Sequence, residues 1–242
     1  MKILKRFVFA LVLLGGAYVA WSWHLSVRSA QWLWCDSYAG IQMEKGGEGA
    51  FGGFRMHVRP EGDSLWVVSD PQAGFADIDS CFSFMERNKW CSVWIVADGL
   101  DAPNCDSFLR RVIGSAFIRR VEADRIVVET DRWDLTRKLT LLGVHTAYTW
   151  EAPRPSSLSE QQKDSVVTRI HRIAASGQVN TLTISRAWYP YFHGQFRNLD
   201  ISFLIYEPTR SAFSMMLDPM SRVMRADDQV KGMLTRSTGS GN

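Results

Sequence analysis

One aromatic segment carries the residues best suited to bind a ligand. Residues 187–198, AWYPYFHGQFRN, place five aromatic rings around one imidazole and one guanidinium group. Rings beside a cation suit the recognition of sugars, peptides or planar groups. The segment joins two predicted strands, and the alternative is that its rings fold back over the core as part of a loop. The sequence predicts a binding surface made of Trp188, Tyr189, Tyr191, His193 and Arg197.

Local catalytic signatures are absent from the sequence. It contains no GxSxG, SxxK or GxxxxGK[ST] motif, and no GxGxxG follows a predicted strand. A carboxylate pair for glycoside cleavage would leave no such signature, because those residues meet only in space. The residues therefore favour a binding role over an enzymatic one, and no catalytic residue and no cofactor is predicted.

Four cysteines are the main candidates for disulfides or metal ligands. They show no CxxC and no zinc-like spacing. An even number in an oxidising compartment favours two disulfides, for which three pairings are possible. We predict Cys81 with Cys91, across a short segment that could turn back, and Cys35 with Cys105. The methionines at 215–224 could bind Cu(I), but packing explains them more simply, and no metal site is predicted.

The N-terminus has the pattern of a targeting segment. Lys2, Lys5 and Arg6 precede an uncharged apolar run over 7–23. Its length lies between that of a signal peptide and that of a spanning helix. We predict a retained signal-anchor in the inner membrane of a bacterial cell, with the rest of the chain in the periplasm. Cleavage after Ala17, which would release a secreted protein, is the alternative.

The charge balance limits the partners. The net charge of +3 comes entirely from Lys2, Lys5 and Arg6, since the other 25 basic residues equal the 25 acidic ones in number. A neutral body lacks the basic surface of a nucleic-acid-binding protein. The predicted partners are therefore the membrane, through residues 7–23, and an envelope protein or polymer.

Hydrophobic patterning indicates both strands and helices. Short β-branched or aromatic runs predict strands around FRMHVRP, SLWVVSD, CSVWIVADG, DRIVVETD, DLTRKLTLLG, TLTISRAWY and LDISFLIYE. Helices are predicted after Cys105, over 159–176 and after Asp218. The proline-rich seam EAPRPSSLSE divides the chain. The predicted fold class is α+β, with an N-terminal membrane helix and a disulfide-containing, mainly antiparallel β region packed with helices.

These expectations combine into one hypothesis. The predicted parts are an anchor over 1–23, a β-rich domain over 24–150, an α-β-β-α subdomain over 151–235 and a tail over 236–242. The predicted function is that of a membrane-anchored binding module of the cell envelope. The alternatives are an envelope hydrolase acting on glycan or peptide, and a structural subunit of a secretion or envelope complex.

Overall fold

Eight parallel strands close into a barrel in the computed structural model, which describes residues 13, 33–36, 51–61, 65–69, 75–150, 152–211 and 218–236. The barrel closes because the first strand pairs in parallel with both the second and the last. A ninth strand, β3, adds to β2 in antiparallel fashion outside the barrel. The strands are β1 Leu33–Cys35, β2 Gly53–Glu61, β3 Leu65–Val68, β4 Ser92–Ala97, β5 Ile126–Thr130, β6 His145–Tyr148, β7 Thr181–Ser185, β8 Ser202–Ser211 and β9 Val230–Arg236.

Helices separate the barrel strands from β4 onward. Two of them begin with a capping box, Asp77 with Ser80 and Ser159 with Gln162, which satisfies backbone N–H groups in the first turn. Gly177, at a φ of 69°, follows the helix over 160–175 and has the left-handed backbone conformation that favours glycine at a helix end. The helices are α1 Ile78–Arg87, α2 Cys105–Ile118, α3 Trp133–Leu141, α4 Glu160–Ala175, α5 Tyr189–Phe192 and α6 Pro219–Ala226.

The predicted α+β class with a mainly antiparallel sheet is wrong. Its strands are real, except that residues 134–143 form most of α3, where Leu135 and Leu139 are buried four residues apart and Leu141 is exposed. The segment predicted to turn between Cys81 and Cys91 is mostly α1. With these two helices in place, consecutive barrel strands have helical crossovers and pair in parallel.

Two hydrophobic layers hold the barrel together. The larger lies between the strands and the helices, and the smaller fills part of the barrel interior with Trp34, Trp94 and neighbouring aliphatic side chains. Gly53 and Gly232 lie on the strands either side of Trp34, and a Cβ on either would come within 3 Å of its indole ring. Glycine at both positions therefore admits this large side chain into the barrel.

The predicted disulfides are also wrong. All four cysteines are free thiols with no exposed surface, packed in the layer between strands and helices. Burial raises the pKa of Cys81, of Cys105 and of Cys91, the last to about 12 even though Arg125 opposes the change. Each cysteine therefore acts as a small apolar core residue rather than as a crosslink.

Alkylation without reductant should distinguish thiols from disulfides. At pH 8 we expect iodoacetamide to leave the native protein unmodified, because the four thiols are inaccessible and those of Cys81, Cys91 and Cys105 stay protonated. In urea, still without reductant, intact mass should rise by four carbamidomethyl groups. A protein that takes up label in urea only after reduction would contradict the free thiols.

The predicted membrane anchoring is corrected as well. No helix among the described residues is long and apolar enough to cross a membrane. Residues 1–23, on which the anchor, the periplasmic placement and the membrane partnership were predicted, lie outside the described part of the chain except for Leu13. The predicted seam at 151–160 falls between β6 and α4, and strands on both sides of it belong to one sheet.

Candidate functional site

A cleft of about 1180 Å³ opens at the carboxyl ends of the barrel strands. In parallel barrels of this kind, active sites lie at that end, where the loops after the strands converge. The cleft draws its lining from β2, from β4 to β8, from the loops that follow these strands and from α4. Its charged lining residues are Arg55, Asp98, Glu129, Asp131 and Arg169, and His57 adds an imidazole.

Arg55 forms the polar floor of the cleft. It projects from β2 into the barrel, where its Nη2 donates to Glu129 Oε1 at 2.9 Å. Glu129 is buried, and its other oxygen accepts a hydrogen bond from Thr183 Oγ1 at 3.2 Å. The guanidinium carbon lies 5.7 Å from the ring centre of Trp94 and 4.9 Å from that of Tyr206. Ion pair and rings together fix the cation in one orientation.

His57 lies two residues further along β2, on the same side of the strand. Its Nδ1 is 3.0 Å from Asp98 Oδ2, and its Nε2 is 3.1 Å from Arg55 Nη1. Because a guanidinium only donates, His57 Nε2 accepts, and the ring proton lies on Nδ1 and is donated to Asp98. The hydrogen-bond network thus assigns a neutral imidazole oriented by a carboxylate. Ser69 Oγ also donates to Asp98, at 3.4 Å.

An apolar wall bounds the cleft on the side of β6. It consists of Trp150, Ala152 and Pro153, which we call the Trp150 wall. The indole of Trp150 stacks on Tyr148, with ring centres 6.3 Å apart, and meets the edge of Phe192 at 5.5 Å. Burial raises the pKa of Tyr148 although Arg169 opposes the shift, so this phenol stays neutral.

None of the five predicted binding residues lines the cleft, and one of them, Trp188, contacts the wall. Trp188 and Tyr189 are buried, Tyr191 and His193 are half-buried, and Arg197 is exposed. Trp188 Nε1 donates to the carbonyl of Pro153 at 3.2 Å, so the aromatic segment supports the wall from behind. Nothing in the geometry tests ligand binding by these five side chains, and that role stays a prediction.

His193 belongs instead to a separate polar cluster. Its Nδ1 lies 2.9 Å from Asp227 Oδ2, which also accepts a hydrogen bond from the Tyr189 hydroxyl at 2.7 Å. The backbone N–H of Gln229 donates to the other oxygen of Asp227. Burial alone would raise the pKa of Asp227, but these three hydrogen bonds together lower it. The cluster ties the segment after α5 to the start of β9.

Asp227→Asn should weaken the hydrogen bonds of this cluster. We expect it to lower the free energy of unfolding at pH 7 by about 1–3 kcal/mol, because the amide cannot accept all three hydrogen bonds. A carboxylate with a lowered pKa stabilises the fold above its unfolded pKa of about 4, and this contribution is lost as pH falls through the folded pKa. Urea titrations between pH 2 and 7 should therefore show a shallower acid loss for the variant. The exposed neighbour Asp228→Asn is the matched control, and equal behaviour of the two would contradict the role of Asp227.

Sequence patterns missed the residues that gather in the cleft. Arg55 and His57 alternate with buried residues on β2, while Asp98 and Glu129 stand at or just beyond the ends of β4 and β5. Polar residues at the carboxyl ends of several strands would have indicated this site if the strands had been assigned as parallel. Among the residues that the structure covers, no three His, Cys, Asp or Glu side chains are placed to hold a metal ion.

Comparison with known proteins places this geometry in a class of barrels. No protein-family model and no curated protein matches the chain. Solved structures do match: a glycerophosphodiester phosphodiesterase from Parabacteroides distasonis has a TM-score of 0.55 and 12% identity, over 86% of this chain and 93% of that one. A structure assigned as a glycerophosphoryl diester phosphodiesterase from Agrobacterium tumefaciens has a TM-score of 0.53 and 12% identity, over 86% and 94% of the two chains. One with the same assignment from Silicibacter pomeroyi has a TM-score of 0.52 and 11% identity, over 84% and 88%.

The chain therefore has the fold of a TIM-like parallel β-barrel surrounded by helices. More particularly, it is the barrel fold seen in structures assigned as glycerophosphodiester phosphodiesterases. These similarities overturn the predicted membrane-anchored binding module and its envelope protein or polymer partner. That prediction rested on a membrane helix, an aromatic loop, a neutral charge and the lack of a local catalytic signature.

Proposed function

We propose that this protein hydrolyses a phosphodiester in the cleft at the carboxyl ends of its barrel strands. One observation carries the proposal: the guanidinium of Arg55 and the imidazole of His57, oriented by Asp98, lie side by side at the open end of the barrel. The fold supports it, because similar structures are assigned as glycerophosphodiester phosphodiesterases.

Arg55 supplies the positive charge that a phosphodiester requires. The non-bridging oxygens accept hydrogen bonds from the guanidinium, which is already oriented by Glu129 and by the rings of Trp94 and Tyr206. Negative charge on these oxygens is stabilised in the transition state without reorganisation of the site.

His57 moves the proton. When phosphate oxygens take the hydrogen bond of Arg55 Nη1, His57 Nε2 becomes free to accept a proton from the attacking water. The water oxygen bonds to phosphorus, the bond from phosphorus to the leaving oxygen breaks, and the imidazolium returns the proton to the leaving alcohol. Asp98 holds Nδ1–H throughout and stabilises the transient positive charge. The products are an alcohol and a phosphomonoester.

Turnover of bis(4-nitrophenyl) phosphate and of glycerophosphocholine by the purified full chain tests the proposal. We expect His57→Gln to lower kcat by about 10²–10⁴-fold while leaving KM nearly unchanged, since it removes proton transfer and keeps the anion site. His145→Gln is the matched control, because His145 is exposed at the opposite end of the barrel. No turnover by the wild type, or equal rates for both variants, would refute hydrolysis.

The Arg55–Glu129 pair favours a second candidate, binding of a phosphodiester without turnover. The carboxylate at the centre of the cleft is already engaged by Arg55 and Thr183, so it is not free to act as a base. An Arg55-dependent rise in melting temperature with glycerophosphocholine, in the absence of any product, would support this second role over the first.

A further inference from the structure

We infer that the phosphodiester carries a largely apolar second alcohol, which packs on the Trp150 wall. This inference rests on the proposed function and deepens it, because it concerns the part of the substrate beyond the phosphate. Most charged groups of the cleft lie on or just after β2, β4 and β5, with Arg169 on α4 as the exception, while Trp150, Ala152 and Pro153 provide carbon surface after β6.

The Trp150 wall offers carbon rather than hydrogen-bonding groups. Trp150 lines the cleft, yet its Nε1 is buried without a hydrogen-bond partner among the described atoms, so the part of the ring that faces the cleft is carbon. Ala152 and Pro153 add only aliphatic side chains. A polyol such as glycerol would lose hydrogen bonds to water against this surface and gain none in return.

The wall is also rigid. Trp150 is held between Tyr148 and the edge of Phe192, and the backbone at Pro153 is held by Trp188 Nε1. A surface that is already ordered loses little conformational entropy when a ligand packs on it. Apolar area buried there therefore adds to affinity.

The distance between Arg55 and the Trp150 wall sets the size of the second alcohol. Arg55 is on β2 and Trp150 follows β6, three strands away around the barrel, and neighbouring strands lie about 4.8 Å apart. A phosphate at Arg55 and a group on the wall are thus separated by about 14 Å or less, which is three strand spacings. An aryl, nucleoside or alkyl ester spans this gap, whereas a methyl or small polyol ester leaves it filled with water.

Two esters that share a phosphocholine half make a direct probe. Calorimetric titration of the full chain carrying His57→Gln, in which turnover is slowed by about 10²–10⁴-fold, would compare 4-nitrophenyl phosphocholine with glycerophosphocholine. We expect the aryl ester to bind about tenfold tighter or more, as for burial of one ring. Adding Trp150→Ala should remove this preference while leaving the Kd of glycerophosphocholine unchanged. Trp133→Ala, at an exposed tryptophan outside the cleft lining, should keep the preference.

Ala152→Asp provides a second variant should Trp150→Ala fail to fold, because Ala152 is part-exposed and a carboxylate there would repel the ring from the wall. It should also abolish the preference. Equal, Arg55-dependent affinity for both esters, or a preference that survives both substitutions, would overturn the inference and leave the proposed function standing. If neither ester binds, the proposed function itself fails.

Discussion

Arg55→Gln lowers kcat/KM for phosphodiester hydrolysis by about 10²–10³-fold, which is the loss expected when an oriented donor to a developing oxyanion is removed. Glutamine can reach only part of the space that the guanidinium fills, and it carries no charge. Both binding and turnover should suffer, because Arg55 contacts the same oxygens in the ground state and in the transition state. Steady-state kinetics with bis(4-nitrophenyl) phosphate provide the measurement.

Loss of stability must be separated from loss of function in this variant. Removing Arg55 leaves Glu129 buried without its cation, which costs stability as well. The double variant Arg55→Gln with Glu129→Gln restores a neutral pair with matched hydrogen-bonding capacity. We expect the double variant to regain much of the lost thermal stability while staying inactive.

Two further variants serve for comparison with Arg55→Gln. Arg55→Lys keeps the charge but not the paired N–H groups, and it should fall between wild type and glutamine. Arg119→Gln removes an arginine from a half-exposed ion pair with Glu86 outside the cleft, and it should retain full activity. Wild-type rates in the double variant would show that Arg55 serves the fold alone.

Prediction of this site from the sequence depends on whether the strands are assigned as parallel or antiparallel. The predicted strands at β2, β4, β5, β7 and β8 all exist, since β-branched and aromatic runs are strong local signals. The prediction of their direction depended on α1 and α3, because helical crossovers make consecutive strands parallel. The hydrophobic pattern did not predict these two helices. In α3 the buried hydrophobic residues are Leu135 and Leu139. Thr136 and Thr140 make side-chain hydrogen bonds, so polar and apolar residues alternate along the sequence as they would in a strand.

The disulfide prediction was wrong for a different reason. Disulfides were predicted because residues 1–23 indicated export to an oxidising compartment, and not because of any local pattern around the cysteines. In the barrel, Cys81 and Cys105 lie on different helices and point into the core, where a thiol behaves as a small hydrophobic group. A prediction that depends on another prediction inherits its error.

Arg125 should make a large contribution to stability. It is almost fully buried just before β5, where its Nε donates to the carbonyl of Cys91 at 3.0 Å. Its Nη2 donates to the carbonyls of Met85 at 3.1 Å and Asn88 at 2.8 Å, and also to that of Cys91. One guanidinium thus satisfies the end of α1 and the turn that leads into β4.

Arg125→Met should lower the free energy of unfolding by about 3–5 kcal/mol, because it removes the guanidinium donors from these carbonyls while nearly conserving volume. The carbonyl of Asn88 keeps one other donor, the backbone N–H of Cys91 at 3.1 Å. For a chain of this size the melting temperature should fall by roughly 10 °C. Urea unfolding followed by tryptophan fluorescence gives the free energy. The exposed Arg137→Met on α3 is the matched control, and we expect it to change stability by less than about 0.5 kcal/mol.

The cause of the loss can be tested by a third substitution. Arg125→Lys keeps a buried cation that can reach one or two carbonyls but not three, so its stability should fall between those of wild type and methionine. If lysine were worse than methionine, the cost of burying a charge would outweigh the hydrogen bonds that it makes. If methionine matched the Arg137→Met control, the carbonyls at the end of α1 would not depend on Arg125. Either result would mean that the packing of Met85 and Cys91, and not the hydrogen bonds of the guanidinium, stabilises this part of the barrel.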